Sequence, residues 1–77
     1  MSTISLDKLP LHSSGKIVSL NCSGLLQRRL LDLGLTQNTP MKAILKRPFG
    51  DPTAYEFRGS TIALRKEDAQ LILINVD

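Results

Sequence analysis

The order of apolar and polar residues predicts a chain made mainly of short β-strands. In residues 41–47, the apolar Met41, Ala43 and Leu45 alternate with the two lysines of the segment, which is the two-residue period of a strand. Ile44 departs from this alternation because it joins the lysine face. The same reasoning predicts five strands, at residues 16–20, 41–47, 54–58, 61–65 and 71–76.

The third and fourth predicted strands form a hairpin with large apolar side chains on one face. Tyr55 and Phe57 point the same way along the third strand, and Ile62 and Leu64 point inward from the fourth. Residues 59–60 are a break short enough for a tight turn. We therefore expect these four side chains to enter the core.

Residues 25–33 are the clearest helix, since they are rich in the good helix formers Leu, Arg and Gln. Leu26, Leu30 and Leu33 recur at i, i+4 and i+7, which predicts a core-facing stripe. Gly34 can take the left-handed conformation that ends a helix.

The flanks of this helix carry further signals. Asn21 or Ser23 could accept a hydrogen bond from its free N-terminal amides, and Leu35 can pack back on its last turn. Residues 66–69 predict a single helical turn before the last strand.

Two segments predict neither a long helix nor a strand. Residues 2–14 are a short turn of helix or an extended lead-in that docks its leucines, at positions 6, 9 and 11, on the domain. Residues 48–52 are a rigid loop, because two prolines fix φ and a glycine permits a tight turn.

This arrangement predicts a mostly β, small α+β protein with about five strands and an inserted helix. With 77 residues, the chain is expected to form one domain over residues 1–77. Closure into a small barrel would remove exposed strand edges. The short helical turn before the last strand favours an SH3-like barrel, although the pattern alone leaves an OB-type barrel open.

Composition narrows the classes of function. The net charge of +3 and the three aromatic residues are weak signals for nucleic-acid binding, which usually uses clustered charge and stacking aromatics. No apolar run approaches the roughly 18 residues of a membrane span, and the N-terminus lacks a secretory pattern. We therefore expect a cytoplasmic protein with no nucleic-acid partner.

The sequence offers little for catalysis or for a cofactor. It contains one cysteine and one histidine, too few for a disulfide or a four-ligand zinc site. Cys22 is expected to be a small buried side chain under the start of the helix. His12 is expected to be solvated, and nothing fixes the geometry of a weak metal site with Asp7. We predict no enzyme, no cofactor and no metal ligands.

The helix is the best candidate for a contact surface. Leu25 and Leu31 lie well to either side of its core stripe, and Arg28 and Arg29 lie between them. An exposed apolar patch beside arginines is typical of a protein interface. The alternative is that the lead-in at residues 6–11 covers these leucines. An exposed leucine pair could equally serve a homo-oligomer.

A second candidate surface is basic. Lys42, Lys46 and Arg47 on the second strand could form a patch with Arg58 or Arg65, facing an acidic protein or the cytoplasmic membrane face. The alternative is an ordinary solvated sheet face.

Three segments together resemble the FeoA family. Residues 28–35, with the sequence RRLLDLGL, resemble the family's helix. The loop at residues 48–52, followed by Tyr55, Arg58 and Gly59, resembles its central hairpin. Residues 62–66, with an alanine three positions later, resemble its closing motif.

The resemblance implies an SH3-like barrel with an inserted helix and a cytoplasmic accessory role in bacterial ferrous iron uptake. The implied partner is FeoB, a membrane transporter with a cytoplasmic G-protein domain. The same barrel is the C-terminal domain of DtxR-like iron regulators, so a small regulatory module is the alternative. These 77 residues contain no winged-helix domain, which favours the accessory role. Because the chain offers no cluster of His and carboxylate ligands, we expect its link to iron to run through the partner.

Overall fold

The computed structural model describes residues 2–46 and 52–76 of the 77-residue chain. The helices are α1 (Gly24–Asp32) and α2 (Lys66–Ala69), and a 3₁₀ turn spans Leu6–Lys8. The strands are β1 (Ser2–Ser5), β2 (Ser14–Leu20), β3 (Pro40–Lys46), β4 (Thr53–Phe57), β5 (Ser60–Leu64) and β6 (Ile72–Val76).

The six strands form one antiparallel sheet in the order β1-β6-β2-β3-β4-β5. Five of them match the predicted strands to within two residues at either end. The sixth, β1, falls in the predicted lead-in, where serine and threonine give a weak strand signal. It forms because β6, more than sixty residues away along the chain, supplies a complete antiparallel partner, with Ser2 opposite Val76 and Ser5 opposite Leu73.

The core contains the aromatic and aliphatic side chains predicted for the hairpin. Tyr55, Phe57, Ile62 and Leu64 are all buried. The lead-in contributes as well, because the side chains at positions 6 and 9 are fully buried, whereas the one at position 11 is exposed. The docking of the first two leucines is thus confirmed.

The predicted inner face of β3 is correct for two of its three residues. Met41 and Ala43 are buried, but Leu45 is 53% exposed. The register between β3 and β4 shifts between Ala43 and Leu45, so Ile44 is an extra residue on the bulged strand. The bulge turns Leu45 outward and explains why Ile44 broke the alternation in the sequence.

Most of the predicted loop at residues 48–52 lies outside the described residues. Only its last residue, Pro52, is among them. Neither helix in the described ranges has the length and apolar character needed to cross a lipid bilayer.

Candidate protein-interaction surface

Helix α1 ends in a complete Schellman motif. Gly34, at a φ of +95°, donates its amide to the Leu31 carbonyl at 2.9 Å, and Leu35 donates its amide to the Leu30 carbonyl at 3.0 Å. Leu30 and Leu35 are both fully buried, as the hydrophobic contact of this motif requires. The predicted glycine stop and the return of Leu35 to the last turn are therefore confirmed.

The core-facing side of α1 is narrower than the sequence predicts. Leu30 is fully buried and Leu26 is half-buried against the core, but Leu33 is 46% exposed. The prediction that Leu33 belongs to the core stripe is wrong, because the helix ends at Asp32 and the chain turns away through the motif. Leu35 takes the core position instead.

The outer face of the helix, which we call the α1 outer face, consists of Leu25, Arg28, Arg29 and Leu31. Leu25 is 86% exposed, Leu31 is 46% exposed, and both arginines are exposed. The alternative that the lead-in covers the two leucines is wrong, since its own buried leucines enter the core. The structure thus brings the four predicted contact residues onto one short, solvent-facing helix.

The N-terminal end of α1 is held by backbone and packing. Ser23 occupies the N-cap position, but its side chain makes no capping hydrogen bond, so this predicted role is wrong for Ser23. Asn21 lies two residues earlier and donates its backbone amide to the Leu71 carbonyl at 2.6 Å. Cys22 is buried beside it, as predicted for a small apolar side chain. The entry to the helix is therefore tied to the start of β6.

Thr39 connects the exit of the helix to the sheet. Its side chain is fully buried, and its hydroxyl accepts the Thr36 amide at 3.1 Å and donates to the Gly34 carbonyl at 3.5 Å. The Arg58 guanidinium, from the β4–β5 turn, donates to the same hydroxyl at 3.4 Å. The Thr39 carbonyl also accepts the Ile17 amide at 3.0 Å. One residue, which the sequence did not single out, thus connects the exit of α1 to β2 and to the β4–β5 turn.

A groove lies between α1 and the end of the sheet. It has a volume of about 430 Å³ and is lined by Arg29, Pro52, Ala63, Leu64, Arg65 and Asp68. Sequence reasoning missed this groove, because its walls come from parts of the chain that only the fold brings together. Of the described residues that line it, three are charged and three are apolar.

The basic patch predicted on β3 is only partly described. Lys42 and Lys46 are exposed, and Arg47 lies outside the described residues. Arg58 is engaged with Thr39, and Arg65 lines the groove instead. Arg58 also lines a cavity together with Lys42, so the structure brings these two residues of the proposed patch together, whereas Arg65 lies elsewhere.

The single histidine lies apart from the single cysteine. His12 is exposed, with a φ of +69°, and lines a second cavity of about 650 Å³ with Lys16 and Asn75. Cys22 does not line that cavity. Across residues 2–46 and 52–76, no three His, Cys, Asp or Glu side chains come together as a metal site.

One ionisable group in the core has a shifted pKa. Burial raises the pKa of the Tyr55 phenol, the hydrogen bond with the Thr53 side chain lowers it, and the charge of Asp7 raises it. The Tyr55 hydroxyl also donates to the Leu6 carbonyl at 3.3 Å. Asp7 Oδ1 is buried without a hydrogen-bond partner among the described residues. The hydrogen bond of the Tyr55 hydroxyl thus links the lead-in to β4.

These features define a small, mostly antiparallel β domain that carries one outward-facing helix. The FeoA domain family matches residues 4–76, and the chain belongs to that family. A role related to ferrous iron transport follows from this membership.

Solved structures agree with the assignment. An FeoA-like protein from Clostridium acetobutylicum is 30% identical, with a TM-score of 0.86 over 99% of this chain and 88% of that one. FeoA from Stenotrophomonas maltophilia, a prokaryotic SH3 domain protein complexed with zinc, is 26% identical, with a TM-score of 0.81 over 97% of this chain and 91% of that one. The predicted SH3-like fold is thereby confirmed.

The same fold occurs inside a larger protein. A manganese-dependent transcriptional repressor matches with a TM-score of 0.86 over 97% of this chain, at 14% identity, and this chain covers 42% of the repressor. At that identity the likeness concerns the fold alone. No curated protein sequence matches the chain significantly.

Proposed function

We propose that this chain is a non-enzymatic, cytoplasmic accessory protein of bacterial ferrous iron uptake, which binds the cytoplasmic part of an FeoB-type transporter and modulates it. Membership of the FeoA family supports the process. The relative from S. maltophilia is described as possibly acting as a ferrous iron transport activating factor, which agrees with a modulating role. The mode of binding is argued from the helix.

The observation that carries the proposal is the exposure of Leu25. This side chain is 86% exposed and therefore makes almost no contact with the core. A leucine side chain exposed to water is less favourable in free energy than a buried one. Leu31, six positions further along the same helix, is a second exposed leucine, and Arg28 and Arg29 add the residue type that is enriched at protein interfaces. Burial of this pair by a partner would recover the apolar contribution that folding leaves unused.

The rigidity of the helix supports a binding role. The Schellman motif, the buried Leu30 and Leu35, and the Thr39 hydroxyl together hold α1 in one orientation. A preformed surface loses less conformational entropy on binding than a mobile one. The α1 outer face is therefore suited to dock without refolding.

The test is binding of single variants to the purified cytoplasmic part of an FeoB-type transporter. Leu25→Glu and Leu31→Glu should each keep the fold and weaken binding at least tenfold, as expected when an interface centre receives an unpaired charge. Leu45→Glu, which alters an exposed leucine of β3, is the matched control and should bind normally. Normal binding by both helix variants would show that the partner uses another surface.

A small regulatory module is the competing proposal, and its support is the fold shared with the manganese-dependent repressor. Such a module acting on nucleic acid would bind DNA with a steep dependence on salt. We expect no DNA binding at low salt. Retention of DNA under these conditions would favour the regulatory role over the transporter partner.

A further inference from the structure

Strand β5 forms one edge of the sheet. It pairs with β4, and no other strand within residues 2–46 and 52–76 pairs with its opposite side. Native proteins often protect such edges with lysine or proline, and the five residues of β5 include neither. Its outer side therefore has no strand partner within the described residues.

The turn before β5 determines which backbone groups face outward. Arg58 and Gly59 both have positive φ, +48° and +79°, which is typical of a two-residue type I′ hairpin. In such a hairpin the flanking pair, Phe57 and Ser60, exchanges both hydrogen bonds, and the pattern then alternates along the ladder. The amide and carbonyl groups of Thr61 and Ala63 consequently point away from β4.

The groove beside this edge carries a positive charge. Arg29 of α1 and Arg65 at the end of β5 both line it, and neither side chain forms an ion pair or hydrogen bond with another described residue. Among the described residues that line the groove, Asp68 is the one acidic side chain beside these two arginines. Arginine recognises carboxylates through paired, charge-assisted hydrogen bonds.

We propose that the β5 edge and its groove bind an extended, acidic segment of a partner protein by strand addition. The outward groups of Thr61 and Ala63 supply backbone hydrogen bonds, and the arginines select carboxylate side chains. Alternate side chains of the added strand lie against the apolar groove residues Pro52 and Leu64. The proposal deepens the proposed function and rests on it for the identity of the partner, because Arg29 also belongs to the α1 outer face.

A second copy of the chain fits this edge less well. Two copies pairing through β5 would align the sequence Ser-Thr-Ile-Ala-Leu with itself, and that segment contains no carboxylate to meet Arg29 and Arg65. Strand β1, the other edge of the sheet, is the internal comparison, since neither its residues nor the 3₁₀ turn that follows lines this groove.

The experiment is an NMR titration of the ¹⁵N-labelled full chain with a synthetic pentapeptide of alternating valine and glutamate. A pentapeptide of alternating valine and lysine is the control. The glutamate peptide should shift the amides of Thr61 and Ala63, slow their hydrogen exchange, and bind about tenfold more tightly than the lysine peptide. Equal affinity for both peptides, changes centred on β1, or no change at all would overturn the proposal.

Two sets of variants test the backbone and the charges separately. Ala63→Pro removes an outward amide without removing a bond to β4, and it should weaken peptide binding by about tenfold. Ala63→Val keeps that amide and should bind within about twofold of the unaltered chain. The pair Arg29→Gln and Arg65→Gln leaves the backbone intact and should abolish the preference for glutamate over lysine.

Full peptide binding by a folded Ala63→Pro, or an unchanged glutamate preference in the arginine pair, would contradict strand addition at this site. If Ala63→Pro does not fold, the arginine pair alone supports or overturns the proposal. Slow exchange of Thr61 and Ala63 that increases with protein concentration in the absence of peptide would assign the edge to a second copy instead. The titration contains no transporter, so failure of the transporter assay would leave its result unaffected.

Discussion

Two leucine-rich segments of this chain occupy opposite environments. In the lead-in, Leu6 and Leu9 are fully buried, and the 3₁₀ turn that carries the first of them contacts α2 and β6. In α1 and its C-cap, which together contain five leucines, only Leu30 is fully buried, and Leu25 is almost wholly exposed. The irregular segment thus places these two leucines in the core, whereas the helix and its C-cap together expose three of their five leucines. Leucine content alone does not distinguish these roles. They are distinguished by the contacts that each segment makes with the rest of the fold.

Shortening one leucine in each segment should give the largest difference in the free energy of unfolding. Leu9→Ala should lower the free energy of unfolding by about 2–5 kcal/mol, because it leaves a cavity in the core. Leu25→Ala should change it by less than about 0.5 kcal/mol, since an exposed side chain has few contacts to lose. Urea unfolding of both variants measures the difference. Equal losses would mean that the helix leucine packs as part of the core.

Removal of the Thr39 hydroxyl should have the next largest effect on the free energy of unfolding. Thr39→Val keeps the shape of the side chain but removes the group that bonds with Thr36, Gly34 and Arg58. It should cost about 1–3 kcal/mol, because three partly buried hydrogen bonds of this hydroxyl are lost. Thr39→Ser retains the hydroxyl and is the control. Urea unfolding measures both variants. Equal unfolding midpoints for the valine and serine variants would refute the role assigned to the hydroxyl.

The smallest expected effect on stability comes from Tyr55, whose hydroxyl links the lead-in to β4. The pKa of Tyr55 is raised in the folded chain, chiefly by burial. Below the unfolded pKa of about 10 the phenol is neutral in both states, and its contribution to stability is complete. As the pH rises above that value the unfolded state loses the proton first, so stability falls until the folded pKa is passed. Tyr55→Phe should remove this alkaline decrease, as measured by urea unfolding between pH 8 and about 11. A decrease of the same size in the variant would assign it to other groups.

The sequence predicted those elements whose signals are local. Helix α1, its stop at Gly34 and the inward face of the β4–β5 hairpin depend on periodicity and on single residues, and the structure confirms them. The segment at residues 66–69 is helical as predicted. In each of these cases, neighbours in sequence determine the conformation.

The parts that were missed depend on contacts between distant segments. Strand β1 needs β6, the outward turn of Leu45 needs the bulge against β4, and the exposure of Leu33 follows from the path of the chain after the helix. The α1 outer face was found because a helical wheel identifies the residues outside the core stripe. The groove was not found, because Arg29 and Arg65 come together only in the fold.

The most direct test of the α1 outer face follows individual leucines while the partner binds. The chain, labelled with ¹³C at its leucine methyl groups, would be titrated with the cytoplasmic part of an FeoB-type transporter. The methyl signals of Leu25 and Leu31 should shift or broaden first, while those of Leu6 and Leu9 stay unchanged. Changes confined to the buried leucines, or binding that leaves both helix leucines unaltered, would contradict the claim that the α1 outer face is the contact surface.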